Sequence, residues 1–190
     1  EAFVNVPKEA SQNNISEIKS MLKNRRNNLQ YISDRYFELL NKYPIVTATN
    51  KDDYIKIKAL KNGEVIVTMS RKKDDTVKDE FHKRIYYPKQ TKEIWIYGLD
   101  DKDTFEIIGK SSKIKIRLIG GQNNDKFIVE NGKNIVIYDY KSKENNVEEA
   151  RKATLKLQDK YSINTYDYQK VKNNTNQLIP IIGANPDDGF

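Results

Sequence analysis

The chain has 190 residues, 37% hydrophobic and 32% charged, and its 34 Lys and Arg against 27 Asp and Glu leave a net charge of +7. That length supplies one full domain with an appendage, and the lack of cysteine excludes a disulfide framework, a thiol nucleophile and a Cys-ligated zinc site. The longest apolar stretch, Leu178 to Gly183, is broken by Pro180 and is far shorter than the ~20 residues of a membrane helix. Residues 1–13 lack apolar periodicity and read as a mobile lead-in. Asn14 and Glu17 then form a capping-box pattern. Ile15, Ile18, Met21, Leu22, Leu29, Ile32, Tyr36, Leu39 and Leu40 recur at helical spacing up to Pro44, which predicts a long helix over about 14–42. The stripe is interrupted at Arg25, where a bend or a break around Asn27 and Asn28 is expected.

From Ile45 the period changes to two. Tyr54 to Leu60, then Asn62-Gly63, then Val65 to Met69 predicts a β-hairpin with a two-residue turn. A charged loop, Arg71 to Asp79, leads to a further strand from Phe81 to Tyr87, stopped by Pro88. Two copies of one unit follow. Gly98-Leu99-Asp100-Asp101-Lys102-Asp103-Thr104-Phe105 aligns without a gap on Gly120-Gly121-Gln122-Asn123-Asn124-Asp125-Lys126-Phe127. Each copy follows an alternating apolar run, Ile94 to Tyr97 or Ile114 to Leu118, and a third run, Ile135 to Tyr138, keeps the spacing. Repetition at this period predicts stacked strands joined by Gly-Asp turns. The fold class expected is α+β: a long N-terminal helix packed on a β-rich body with a short solenoid-like or sandwich-like repeat. Residues 14–140 form the helix-plus-β domain, and 141–190, polar and then apolar at its close, form an extended C-terminal arm.

Chemistry is sparse. His82, the one histidine, lies in a strand with no Cys or second His to share a metal. Asp101, Asp103 and Asp125 cluster in the repeated turns and are the candidate metal ligands. Gly120 to Phe127 resembles one unit of the calcium-binding nonapeptide of toxin-type parallel β-rolls, with Asn123 and Asp101 where that pattern has its third glycine and Leu99 where it has the second. The competing reading makes Asp103 and Asp125 Asx-turn formers bonded to nearby amides, with Phe105 and Phe127 turned inward, and the glycine-poor turns favour it. Lys23, Arg25 and Arg26 form the one tight basic group and the candidate polyanion site. Nucleic acid is not an expected partner. Gly120-Gly121 precedes a strand and no helix, which excludes a phosphate-binding glycine loop.

Thr91-Lys92-Glu93-Ile94-Trp95-Ile96-Tyr97-Gly98-Leu99 with Asp103 and Phe105, then Ile116 to Gly121 with Asn124-Asp125, resembles a segment of large Bacteroidota cell-envelope proteins. Those proteins combine an N-terminal calcineurin-like metallophosphoesterase with a C-terminal outer-membrane β-barrel of the surface-antigen type. The closing Asn185-Pro186-Asp187-Asp188-Gly189-Phe190 is similar to the lead into the first barrel strand. The resemblance implies a connecting region in the outer membrane or periplasm, with the adjacent domains as its partners. It supplies no catalytic residue, because the phosphoesterase metal-binding signatures are missing. The start at Glu1, with no Met, fits a fragment or processed chain. The function expected is that of a non-catalytic structural connector without a cofactor, which positions an enzyme domain relative to a barrel. The alternative is a polyanion- or calcium-binding module.

Overall fold

The fold is described from a computed structural model over residues 12–148 and 152–169. In chain order the elements are α1 (Gln12–Lys42), β1 (Ile45–Thr47), β2 (Asp53–Ala59), β3 (Val65–Lys73), β4 (Thr76–Tyr86), β5 (Glu93–Leu99), β6 (Thr104–Gly109), β7 (Lys115–Gly121), β8 (Lys126–Val129), β9 (Ile135–Asp139), β10 (Asn146–Glu148), β11 (Thr154–Leu157) and α2 (Tyr161–Asn164). The chain is α+β, an N-terminal helix and a β-rich body of two sheets.

The two sheets come from one winding. Strands β1, β5, β7, β9 and β11 lie side by side in the first sheet, all parallel. Between them the chain crosses to the second sheet, where β2, β6, β8 and β10 are also parallel neighbours. Each coil therefore has one strand in each sheet, and like positions stack on like. Val46, Ile96, Leu118 and Ile137 form one buried column in register. Ile55, Phe105 and Phe127 form another in the facing sheet. The Phe105 and Phe127 rings stack at 4.9 Å between centroids, close to the inter-strand spacing itself. Burial of these alternating residues from both sheets makes one continuous apolar core.

Residues 60–86 interrupt the winding. Ala59 pairs with Val65 around a Leu60-to-Gly63 turn, with Gly63 at φ 93°. This is a three-residue loop closed by a left-handed glycine and not the two-residue turn that Asn62-Gly63 suggested. The expected charged loop 71–79 is instead strand on both sides of a tight turn, where Lys73 pairs with Thr76 and Asp74 and Asp75 both take positive φ. Aspartates tolerate that conformation through local hydrogen bonding. The hairpin widens the second sheet, and Val65, Val67, Met69 and Tyr86 continue the core beyond the first coil.

Further expectations change. The stack does not stop at Tyr140: β10 pairs with β8 and β11 with β9, so residues 146–148 and 154–157 belong to it and not to an extended arm. Residues 1–11 of the lead-in and 170–190 of the tail lie outside the described residues. The helix is continuous through Asn27 and Asn28, and Asn14 lies inside it, so Asn14 is not its cap. Nor does α1 pack its apolar stripe on the body, for exposure runs from 46% at Ile18 to 63% at Leu39. Its last turn is tied to the body, where Arg84 donates to Asn41 Oδ1 at 2.7 Å and the Lys92 amide donates to the Lys42 carbonyl at 3.0 Å, and in its first turn Ile15 is buried.

The two environments predict different costs for truncation. In urea unfolding followed by the single tryptophan, Trp95, Phe127→Ala should lower stability by about 3–5 kcal/mol. Leu29→Ala on the helix should stay within about 0.5 kcal/mol of the parent; equal losses would place α1 against the core.

Candidate functional site

Two of the candidate ligands, Asp103 and Asp125, meet at one corner of the coil, where each strand of the first sheet turns into the second. The pairings Tyr97 with Ile119 and Ile119 with Tyr138 set Gly98, Gly120 and Asp139 side by side, with Ala48 preceding them in the first coil. Across the turn stand Asp53, Asp103, Asp125 and Asn145. Their backbone amides are bonded in series. The Asp53 N–H donates to Asp103 Oδ1, the Asp103 N–H to Asp125 Oδ1 and the Asp125 N–H to Asn145 Oδ1, each at 2.9 Å. Asp103 and Asp125 are thus bonded between coils and do not form the local Asx turns expected of them. At the first rung Asp53, fully buried, accepts from the Thr49 N–H at 2.8 Å and pairs with Arg71 at 2.8 Å.

The corner is tight because the second carboxylate oxygens lie over the glycines. A Cβ on Gly98 would stand 2.2 Å from Asp103 Oδ2, and one on Gly120 would stand 2.4 Å from both Asp125 Oδ2 and Asp139 Oδ2. Glycine is required there for room. The adjoining turn keeps its left-handed backbone without glycine, at Leu99 (φ 91°), Asp101 (φ 66°) and Asn123 (φ 72°), while Gly121 (φ 113°) occupies the place beside Leu99. Asp and Asn accept this conformation readily, whereas for Leu it is an outlier.

Burial governs the charge state. It lifts the Asp103 carboxyl to about 9, and the neighbouring Asp125 adds to the effect. Asp125 is lifted by burial to about 8, reinforced by Asp139, and Asp139 by burial to about 7. Taken as carboxylates, Asp103 Oδ2, Asp125 Oδ2 and Asp139 Oδ2 would be buried without a donor among the described residues. A proton held between Asp125 and Asp139 removes that conflict for the pair, because one acid then donates to the other.

The other candidates lie elsewhere. Asp101 is exposed at its turn while Asp103 and Asp125 are buried. Among the described residues no three His, Cys, Asp or Glu side chains form a group able to hold a metal ion. Lys23, Arg25 and Arg26 are exposed in the middle of α1; Lys23 and Arg26 stand about one turn apart, and Arg25 falls on the apolar stripe. His82 is on β4, its pKa lowered by partial burial and then by Arg84. Among the described residues no helix is long and apolar enough to cross a membrane.

No family model, curated protein or solved structure matches this chain. The corner therefore stands on its own geometry. Sequence reading missed two of its rungs, Asp53 and Asn145, and the acid Asp139. Asp53 follows Ala48 at the separation by which Asp103 follows Gly98, but the hairpin puts 50 residues between Asp53 and Asp103 where 22 separate Asp103 from Asp125. Asn145 is hidden by its amide and by one extra residue in the turn. Also missed were Lys61, Lys110, Lys113 and Lys133, which line an open cleft with Ser112 and Asn134 at the opposite corner of the coil.

The buried acids set a pH dependence. Their folded pKa values exceed the ordinary carboxylate value, so the native state holds protons that the unfolded chain releases. Their stabilising effect is complete below about pH 4 and fades as pH rises through about 7 to 9. The melting midpoint should therefore fall as pH rises above about 4 and level off once pH passes about 9. Asp125→Asn, which keeps an acceptor for the Asp103 amide as Asn145 does for Asp125, should remain folded and flatten the fall. An unchanged slope in that variant would remove the proton from the corner.

Proposed function

We propose that this chain is a non-catalytic structural module of a cell-envelope protein, a stack of coils that holds an enzyme domain and an outer-membrane barrel at a fixed separation. The observation that carries the reading is the use made of the corner acids. Each of Asp53, Asp103 and Asp125 is buried, and Asp103 and Asp125 each spend one oxygen on a backbone amide of the preceding coil. Acids that hold a backbone together from inside a packed core are not presented to a substrate. A column of parallel strands sharing one core is also stiff, with each coil adding about 4.8 Å. The outer-membrane or periplasmic setting rests on the resemblance to the segment between a metallophosphoesterase and a surface-antigen barrel.

The reading is tested with the purified chain, p-nitrophenyl phosphate and bis-p-nitrophenyl phosphate, in the presence of Mn²⁺, Mg²⁺ or Ca²⁺. No metal-dependent turnover is expected, and EDTA should leave the melting midpoint where it was. Turnover that disappears in Asp103→Asn or Asp125→Asn would overturn it.

A second reading, polyanion binding, is favoured by the lysine cleft. Lys61, Lys110, Lys113 and Lys133 face one another with no acidic residue in the lining, and none forms an ion pair among the described residues. The Lys113 stem lies against Gly63, where a Cβ would stand 2.7 Å from it. Heparin binding that weakens steeply with salt, and that is lost in Lys110→Gln with Lys113→Gln but kept in Lys23→Gln with Arg26→Gln, would establish it. The reverse pattern would return the site to α1.

A further inference from the structure

Ile15 of α1 is buried, and the large apolar side chains that follow it, Ile18 to Leu40, lie open to solvent although their spacing is regular. Ile15, Ile18, Leu22, Arg25, Leu29, Ile32, Tyr36 and Leu39 succeed one another at alternating intervals of three and four residues without a slip. These are the a and d positions of a heptad repeat, and they make one narrow seam along a helix about 46 Å long. Ten large apolar residues of this helix, Ile18 to Leu40, are exposed. Contiguous apolar surface on that scale marks an interaction site.

The charges beside the seam are of one sign. The positions that flank it are Lys19, Arg26, Ser33 and Leu40 on one side and Met21, Asn28, Arg35 and Lys42 on the other. None is acidic, and Arg25 places a further positive charge within the seam. Glu17, Asp34 and Glu38, the acids of the helix, fall on its outer positions, where Asp34 accepts from Gln30 at 2.8 Å. We propose that the seam of α1 is a docking surface for one amphipathic helix with acidic flanks and an acidic residue opposite Arg25.

A second copy of this chain is a poorer occupant. Paired in parallel, it sets Arg25 on Arg25 in a core layer. Paired antiparallel, with Arg25 opposite Leu29, it brings Arg26 against Arg26 across the flank. Like charges meet in either direction. A membrane surface is also a poorer fit, because Lys19, Arg26, Asn28 and Arg35 close the seam to a stripe, whereas an interfacial helix buries a broad face. The proposal is independent of the structural-module reading, since it rests on the helix alone.

The test uses the full chain and a labelled synthetic peptide of four heptads with Leu at a and d, Glu at the flanking positions and one Glu opposite Arg25. Fluorescence anisotropy should show saturable one-to-one binding that weakens about tenfold or more between low and high salt. The matched peptide with Lys flanks should not bind. Leu29→Asp with Ile32→Asp should abolish binding while the urea midpoint of the β-stack stays in place, and Arg25→Glu should shift preference toward the Lys-flanked peptide. The proposal is overturned if the acidic peptide fails to bind, if both peptides bind alike, or if the variants bind as the parent does. It is equally overturned if the chain alone sediments as a dimer that those substitutions dissociate, or if anionic phospholipid vesicles displace the peptide.

Discussion

A chain that winds between two parallel sheets meets the same difficulty at every corner. Its backbone amides leave one ladder before they join the next, and they do so inside the molecule, where an unpaired N–H costs about as much as a hydrogen bond contributes. Here three of these amides, those of Asp53, Asp103 and Asp125, are each met by the side chain one coil further on, Asp103, Asp125 and Asn145 in turn. The remaining constraints of the corner follow from this one. Glycine at 98 and 120 leaves space for the carboxyl groups, and the raised pKa values record what burying them entails. Asn145 does the same bonding without a charge, so it is the carbonyl oxygen and not the ionised acid that the stack requires.

Around this corner the packing is simple. Stacked identical or similar residues fill the inner columns, and the aromatic pair Phe105 and Phe127 sits where the strands bring equivalent positions together. The outer face of the first sheet carries a second cluster of Tyr97, Ile119, Val136 and Tyr138, with Ile163 packed against it. There the Arg117 guanidinium lies over Trp95 at 4.6 Å and over Tyr138 at 5.6 Å and forms an ion pair with Glu93. The ion pair and the rings satisfy a partly buried charge, as cation–π contacts do when desolvated. The residues around α2 thus fold back onto the stack, with Tyr166 5.2 Å from Tyr97.

The molecule divides into a part that is closed on itself and a part that is open. In the stack, the apolar groups of the inner faces are covered and the corner acids are bonded to the backbone. In α1 the apolar seam from Ile18 to Leu39 is exposed and the charges that flank it are positive. A rigid body that carries an open helix is the arrangement that the proposed connector would use. The edge strand β4 is exposed too, but its Lys78, Asp79, Glu80, Lys83 and Arg84 guard it against pairing with another sheet.

What the sequence determined by itself is local. The 3.6 period of Ile15 to Leu40 determined the helix, the alternation of Ile94 to Tyr97 and Ile114 to Leu118 determined the strands, and the paired Gly98 and Gly120 turns determined that these strands repeat. Periodicity reports which face of an element is apolar, because the geometry of each element fixes that face. It cannot report what covers the face. Only the tertiary structure decided that the inner faces of the strands close on each other while the helix seam stays open. It alone showed that Asp53, remote from Asp103 because a hairpin intervenes, belongs to the same row. The aspartates of the turns were visible from the start, but their role was not, since the amides they satisfy lie one coil away in space and from 20 to 50 residues away in the chain.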